Sequence, residues 1–145
     1  MLTPRPLTAT LSVHPQIEEA DIAQARALGF RTIINNRPDG EEPGQLTHTR
    51  AAELAKEAGL EYLYLPVNNM NLGPQTAAAF AEALDNLPGP VLAHCRSGTR
   101  CTILWSLGAA SKGTPVAEII EAAGRQGYDL SPYAGALENL ARGQG

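Results

Sequence analysis

Four short apolar runs, separated by longer stretches of helical spacing, restrict this chain to few architectures. "ATLSV" (9–13), "RTIINN" (31–36), "EYLYLPV" (61–67) and "GPVLAH" (89–94) read as strands, the second a β-branched run suited to burial. "QIEEADIAQARALGF" (16–30) sets Ile17, Ala20, Ile22, Ala25 and Leu28 near helical spacing, and Gly29 is a good stop. "THTRAAELAKEAGL" (47–60) repeats the pattern with Gly59, and Pro74 opens a third helix, "QTAAAFAEALDNL" (75–87). A fourth helix starts at Gly98, and two more follow at 115–127 and 132–142. Strands that alternate with helices predict an α/β fold with a mainly parallel sheet of four to five strands, flanked by helices on both faces. The 145 residues fit a single domain over 1–145. A chain of that size buries roughly 70% of the surface its unfolded form exposes, so it needs neither disulfides nor metal to hold together.

Sheets of this kind bind ligands at the carboxyl ends of their strands. Three loops belong there: 35–42, 68–74 and 95–100. The net charge of −4, the lack of a basic run and the few scattered aromatics exclude a general nucleic-acid binder. "MLTPRPLTATLSV" has no continuous apolar core and no small-residue cleavage site, and no apolar run approaches the ~20 residues of a membrane span. Two cysteines without a signal peptide suggest a reducing cytoplasm and cysteine chemistry rather than a disulfide framework. His14 and His48 show no ligand spacing, so neither metal nor cofactor is expected.

The stretch "AHCRSGTRC" (93–101) joins the plainest buried strand to a helix start. A strand, a tight turn and a helix N-terminus form an anion cradle. The backbone N–H groups of residues 96–100 can converge, and the helix dipole adds roughly half a positive charge. Gly98 permits backbone angles that a side chain forbids. A thiol at Cys95 in this field loses its proton below the ~8.5 of free cysteine and becomes a nucleophile. Arg100 offers a planar fork for an oxyanion. Cys95 and Arg100 are therefore the catalytic candidates, with Arg96, Ser97, Gly98 and Thr99 as the substrate-binding loop. A buried structural cysteine accounts for Cys95 alone, not for the Gly and Arg at these offsets. Arg37, after the second of the long strands, either faces the pocket to hold an anionic tail or lies on the surface. His94 either adjusts the Cys95 proton or is a satisfied structural histidine.

"GFRTIINNRPDGEE", "AGLEYLYLPV" and "PVLAHCRSGTR" occur in an order that resembles the compact dual-specificity cysteine phosphatases. Those enzymes have one more residue between Cys and Arg than the four here (Arg96, Ser97, Gly98, Thr99). Cys-Arg-x-Gly-x-Arg is similar to the active loop of rhodaneses, whose smaller cradle suits a persulfide sulfur. Both features together resemble the phosphatase-like domain of the beta-lactamase hydrolase-like family, over a core of about residues 8–130. Some members of that family are fused to a metallo-beta-lactamase-type persulfide dioxygenase. Nothing in this sequence matches that zinc domain, so the resemblance implies a stand-alone version with a separate dioxygenase in the same pathway. Dual-specificity phosphatases usually draw a general acid from the loop that here reads "PVNNMNLGP", which holds no Asp or Glu. Asp39, Glu41 and Glu42 could reach over instead, although a solvated surface loop is the expectation for them. Asp129 is expected to cap the final helix.

The reading favoured on these grounds is a cytoplasmic sulfurtransferase that moves sulfane sulfur through a Cys95 persulfide, with a small anionic or thiol/persulfide substrate. Sulfite or a thiolate leaves without a proton, so no general acid is needed. The alternative is a cysteine phosphatase acting through a phosphocysteine. The third is an anion-binding or redox-sensing module. Cys101, Leu104, Trp105 and Gly108 share the spacing of a buried helix face. Cys101 is thus either core packing or a resolving thiol for Cys95.

Overall fold

The computed structural model describes residues 2–143. Five strands form one sheet in the order β1-β2-β5-β3-β4: β1 Arg5–Pro6, β2 Leu11–His14, β3 Thr32–Asn35, β4 Glu61–Tyr64 and β5 Val91–His94. The pairs β2–β5, β3–β5 and β3–β4 are parallel, whereas β1 pairs antiparallel with β2. The four long strands and the helices stand where the periodicity predicts. The added strand is β1, two residues long and carrying a proline, too short to leave a periodic signal. The strand expected over 61–67 stops at Tyr64, two residues before Pro66, which has no N–H to give a ladder.

Chain direction explains the layers. From β2 the chain crosses through α1 (Glu19–Ala27) to β3, leaving a gap, and continues through α2 (His48–Ala58) to β4. It returns through α3 (Pro74–Asn86) and fills the gap with β5. Right-handed crossovers in opposite directions put their helices on opposite faces. Helices α1 and α2 pack together on one face. On the other, α4 (Thr99–Ser111) packs against α3, α5 (Val116–Arg125) and α6 (Ala134–Ala141). Alternation along the strands feeds both layers. Ile33 and Leu92 join Ile17, Ile22 and Ala55 under α1 and α2, while Ile34 and Ala93 join Phe80, Leu104 and Ile119 beneath the other helices.

All four residues of β5 are buried. Its last residue, His94, lies in register between His14 of β2 and Asn35 of β3. Cys95 therefore leaves the sheet at the switch in strand order, where an open parallel sheet forms its ligand crevice. Among the described residues no helix is long and apolar enough to cross a membrane.

Candidate active site

The loop after β5 is anchored before any ligand is considered. Gly98 caps α4 with φ 92°, in the left-handed region, and a Cβ there would land on the Tyr128 hydroxyl. That hydroxyl, from the turn after α5, donates to the Ser97 carbonyl at 2.8 Å and accepts from Arg5 Nη1 at 2.6 Å. Gln16 N–H donates to the Arg96 carbonyl at 3.1 Å. The loop is thus held by the chain's first strand and by its C-terminal third. Neither Tyr128 nor Arg5 carried a local sequence signal, because each meets the loop across a long stretch of chain.

Cys95 is fully buried, with Gly98 N–H donating to its sulfur at 3.1 Å. Its pKa falls to about 5, first through the Cys101 thiol beside it, then through the N–H groups of Cys101, Gly98 and Ser97, against the opposing effect of burial. Burial first, and the neighbouring Cys95 next, push the Cys101 thiol up, so Cys101 keeps its proton and donates it. Cys101 is also packed in the core with Leu104 and Ile103. The packing reading of Cys101 fits its place in the core, and both cysteines are free thiols. His94 is buried at the strand end, and burial lowers its pKa to about 4, which leaves the ring neutral near pH 7. A neutral ring supplies no charge to the thiolate.

Arg100, in the first turn of α4, donates from Nη1 to the Val67 carbonyl at 2.8 Å, which ties it to the chain leaving β4. Its other contacts run to Glu41: Nη2 to Oε1 at 2.8 Å and Nη1 to Oε2 at 2.9 Å. This two-point grip is the one a planar guanidinium gives an oxyanion. Arg37 reaches the same carboxylate, with Nε 2.8 Å from Oε1. Arg37 has no exposed surface, so the surface alternative for it is wrong: the carboxylates of Glu41 and Glu42 and the Gln16 amide satisfy it, while its buried Nη2 has no partner.

The acidic loop lies at the surface as expected, with Asp39, Glu41 and Glu42 exposed, but the Glu41 side chain, 27% exposed, is drawn between two arginines. Arg100 above all holds its carboxyl down to about 2, against burial, which opposes it next, and with a smaller contribution from Arg37. Asp39 is placed elsewhere. It accepts from the His48 N–H at 2.9 Å and pairs with His48 Nδ1 at 2.6 Å, while its own N–H donates to the Tyr64 hydroxyl at 3.0 Å. Its accessory role is that of a clamp at the base of the loop. Arg96, Ser97 and Thr99 are exposed, and the Ser97 hydroxyl donates to Thr99 Oγ1 at 2.9 Å. The 68–74 loop is stitched by its asparagines, with Asn71 Oδ1 accepting from Asn68 N–H at 2.8 Å and Asn68 Oδ1 from Met70 N–H at 2.8 Å. Asp129 Oδ1 accepts from Ser131 N–H at 2.9 Å, opening the short 3₁₀ turn Ser131–Tyr133 ahead of α6.

Geometry of this kind has relatives. The family model described as "Beta-lactamase hydrolase-like protein, phosphatase-like domain" matches residues 4–112. The "Beta-lactamase hydrolase-like protein" of Agrobacterium fabrum is 40% identical over 122 residues, 83% of this chain, which spans only 28% of that relative's length. A crystal structure of a candidate phosphatase from Neisseria meningitidis superposes with a TM-score of 0.83 at 35% identity, covering 93% of this chain and 96% of that one. The core catalytic domain of the PP-IP phosphatase SIW14 from S. cerevisiae shares the fold, with a TM-score of 0.69 at 13% identity over 96% of this chain and 88% of that one.

Proposed function

This chain belongs to the beta-lactamase hydrolase-like family, as its phosphatase-like domain, and from that premise we propose that it is a cysteine-dependent phosphatase of small phosphomonoesters. The observation that carries the reading is the Cys95 sulfur buried in the loop after β5, with Gly98 N–H donating to it at 3.1 Å and Arg100 in the first turn of the helix that follows. The thiolate attacks phosphorus and forms a phosphocysteine, and the loop N–H groups and Arg100 hold the equatorial oxygens. The likeness to a candidate phosphatase over nearly the whole chain supports it. The order of the two enzymatic readings is thereby reversed from the one the sequence suggested. The objection that the 68–74 loop holds no acid loses force once Glu41 stands at Arg100.

One observation keeps sulfur transfer as the second reading: the gap of four residues between Cys95 and Arg100, one shorter than in the dual-specificity enzymes. Under that reading a small thiol or persulfide is the partner, and a separate persulfide dioxygenase acts on what is released.

Parallel assays decide between them. The purified protein is tested for aryl phosphate hydrolysis and for thiosulfate sulfur transfer, each with Cys95→Ser as control. The phosphatase reading expects Cys95-dependent phosphate release and a trapped phosphocysteine by mass spectrometry. Persulfide on Cys95 with no phosphate release would overturn it.

A further inference from the structure

The geometry points to Glu41 as the proton donor of the reaction, standing in the free protein where the substrate's oxyanion will bind. This rests on the phosphatase reading above. Three observations lead to it.

The first is the grip itself. Arg100 holds both oxygens of Glu41 in the way it would hold two oxygens of a phosphoryl group. A substrate that takes this fork displaces the carboxylate by a short distance and leaves it beside the bound ester.

The second is the division of labour between the two oxygens. Oε1 accepts from Arg37 Nε at 2.8 Å and keeps that bond when Arg100 turns to the substrate. Oε2 is held by Arg100 Nη1. Once released, Oε2 is the atom free to carry a proton.

The third is the construction of the loop. Asp39 fastens its first half to His48 and Tyr64. The Gln45 side chain accepts from Glu41 N–H at 3.1 Å and donates to the Pro38 carbonyl at 2.9 Å. Gly40 and Gly44, with φ 77° and 78°, provide the left-handed turns on either side of Glu41. A loop that only avoided the solvent would not need its acidic residue fixed at the backbone, at Arg37 and at Arg100 together.

In the free protein Glu41 is a carboxylate. A phosphomonoester monoanion enters, takes the Arg100 fork and passes its proton to Oε2, since a carboxylate beside a dianion is repelled and a carboxylic acid is not. The Cys95 thiolate forms the S–P bond, the ester P–O bond breaks, and the departing oxygen takes the Oε2 proton to leave as an alcohol. Glu41, again a carboxylate, then removes a proton from water as its oxygen attacks phosphorus. The S–P bond breaks, the thiolate returns, and phosphate takes the proton back from Oε2 and departs as the dihydrogen monoanion, leaving Glu41 the carboxylate of the free protein.

The test compares two esters. Phenyl phosphate has a leaving group that needs a proton, and dinitrophenyl phosphate has one that does not. With Glu41→Gln, the single-turnover rate of phenol release, which reads the first step alone, is expected to fall by about 100-fold, the lower range for a general acid, while that of dinitrophenolate release changes by less than about threefold. Glu41→Asp, which retains a carboxyl group, should recover part of the loss on phenyl phosphate alone. Binding of inorganic phosphate to Glu41→Gln, measured by calorimetry, shows that the variant is folded with an intact loop. Equal losses on both esters, or none, would overturn the role while leaving the phosphatase reading in place. No Cys95-dependent turnover of either ester by the unmodified protein would overturn both.

Discussion

At the scale of single residues the thiolate depends on a neighbour of unusual type. Cys101 gives Cys95 a thiol donor where a hydroxyl would do the same work more strongly. The Cys101 thiol is the largest cause of the lowered Cys95 pKa, so its removal has a predictable sign. Cys101→Ala takes away a donor that favours the charged form, and the Cys95 pKa should climb from about 5 toward that of a free cysteine. The acidic limb of kcat/KM moves to higher pH with it, and a thiol titration by pH-dependent alkylation reads the same shift directly. Cys101→Ser, with the stronger donor, should hold the limb at or below its present pH. A limb unmoved in the alanine variant would mean that the backbone N–H groups alone hold the thiolate. The sequence already made Cys95 and Arg100 legible, because a nucleophile and its arginine sit within one loop at offsets a short motif can carry. Glu41 was legible only as one acid in a polar turn, since what sets it apart is contact with Arg100, 59 positions away.

At the scale of elements, the loop after β5 is only as fixed as the parts that brace it. Tyr128 is the brace: it packs where Gly98 leaves room and bonds both the Ser97 carbonyl and Arg5. Tyr128→Phe keeps the ring and loses both hydrogen bonds. The loss of stability should be about 2 kcal/mol, roughly 1 kcal/mol for each of the two bonds, read as a lower denaturant midpoint with unchanged m. Because the bond is to the loop itself, activity should fall further than stability does, and a variant with full activity would show that the loop holds itself. The elements themselves were largely legible. Apolar spacing located α1 to α4 and the four long strands, and Gly29 and Gly59 marked the ends of α1 and α2. Sequence could not show which helix lies against which face, since that follows from the strand order β2-β5-β3-β4, in which β5 fills a gap left early in the chain. For the same reason the bracing of the loop by Tyr128 and Arg5 was hidden: it joins parts of the chain that only the finished sheet brings together.

At the scale of the whole molecule, the family model matches only as far as residue 112, whereas the core continues. Val116, Ile119, Tyr128, Leu130, Leu137 and Leu140 all lie in the cluster that covers α4 and one face of the sheet. Burying side chains of this size contributes roughly 1.5–3 kcal/mol each, on the order of 10 kcal/mol together, before the entropy of ordering the segment is set against it. That is comparable to the whole stability of an ordinary domain, about 5–15 kcal/mol. A chain cut after Lys112 would also expose the buried face of Leu104 and Leu107 on α4 and lose Tyr128 from the loop. The truncated chain should therefore show no cooperative thermal transition by circular dichroism and should bind a hydrophobic dye, while the full chain melts in one step. Adding residues 113–143 back as a separate segment should not restore the transition at micromolar concentration, because association must then overcome its own entropy. A cooperative transition in the truncated chain would mean that α5 and α6 are an appendage, and that the loop after β5 is held by β1 and the sheet alone.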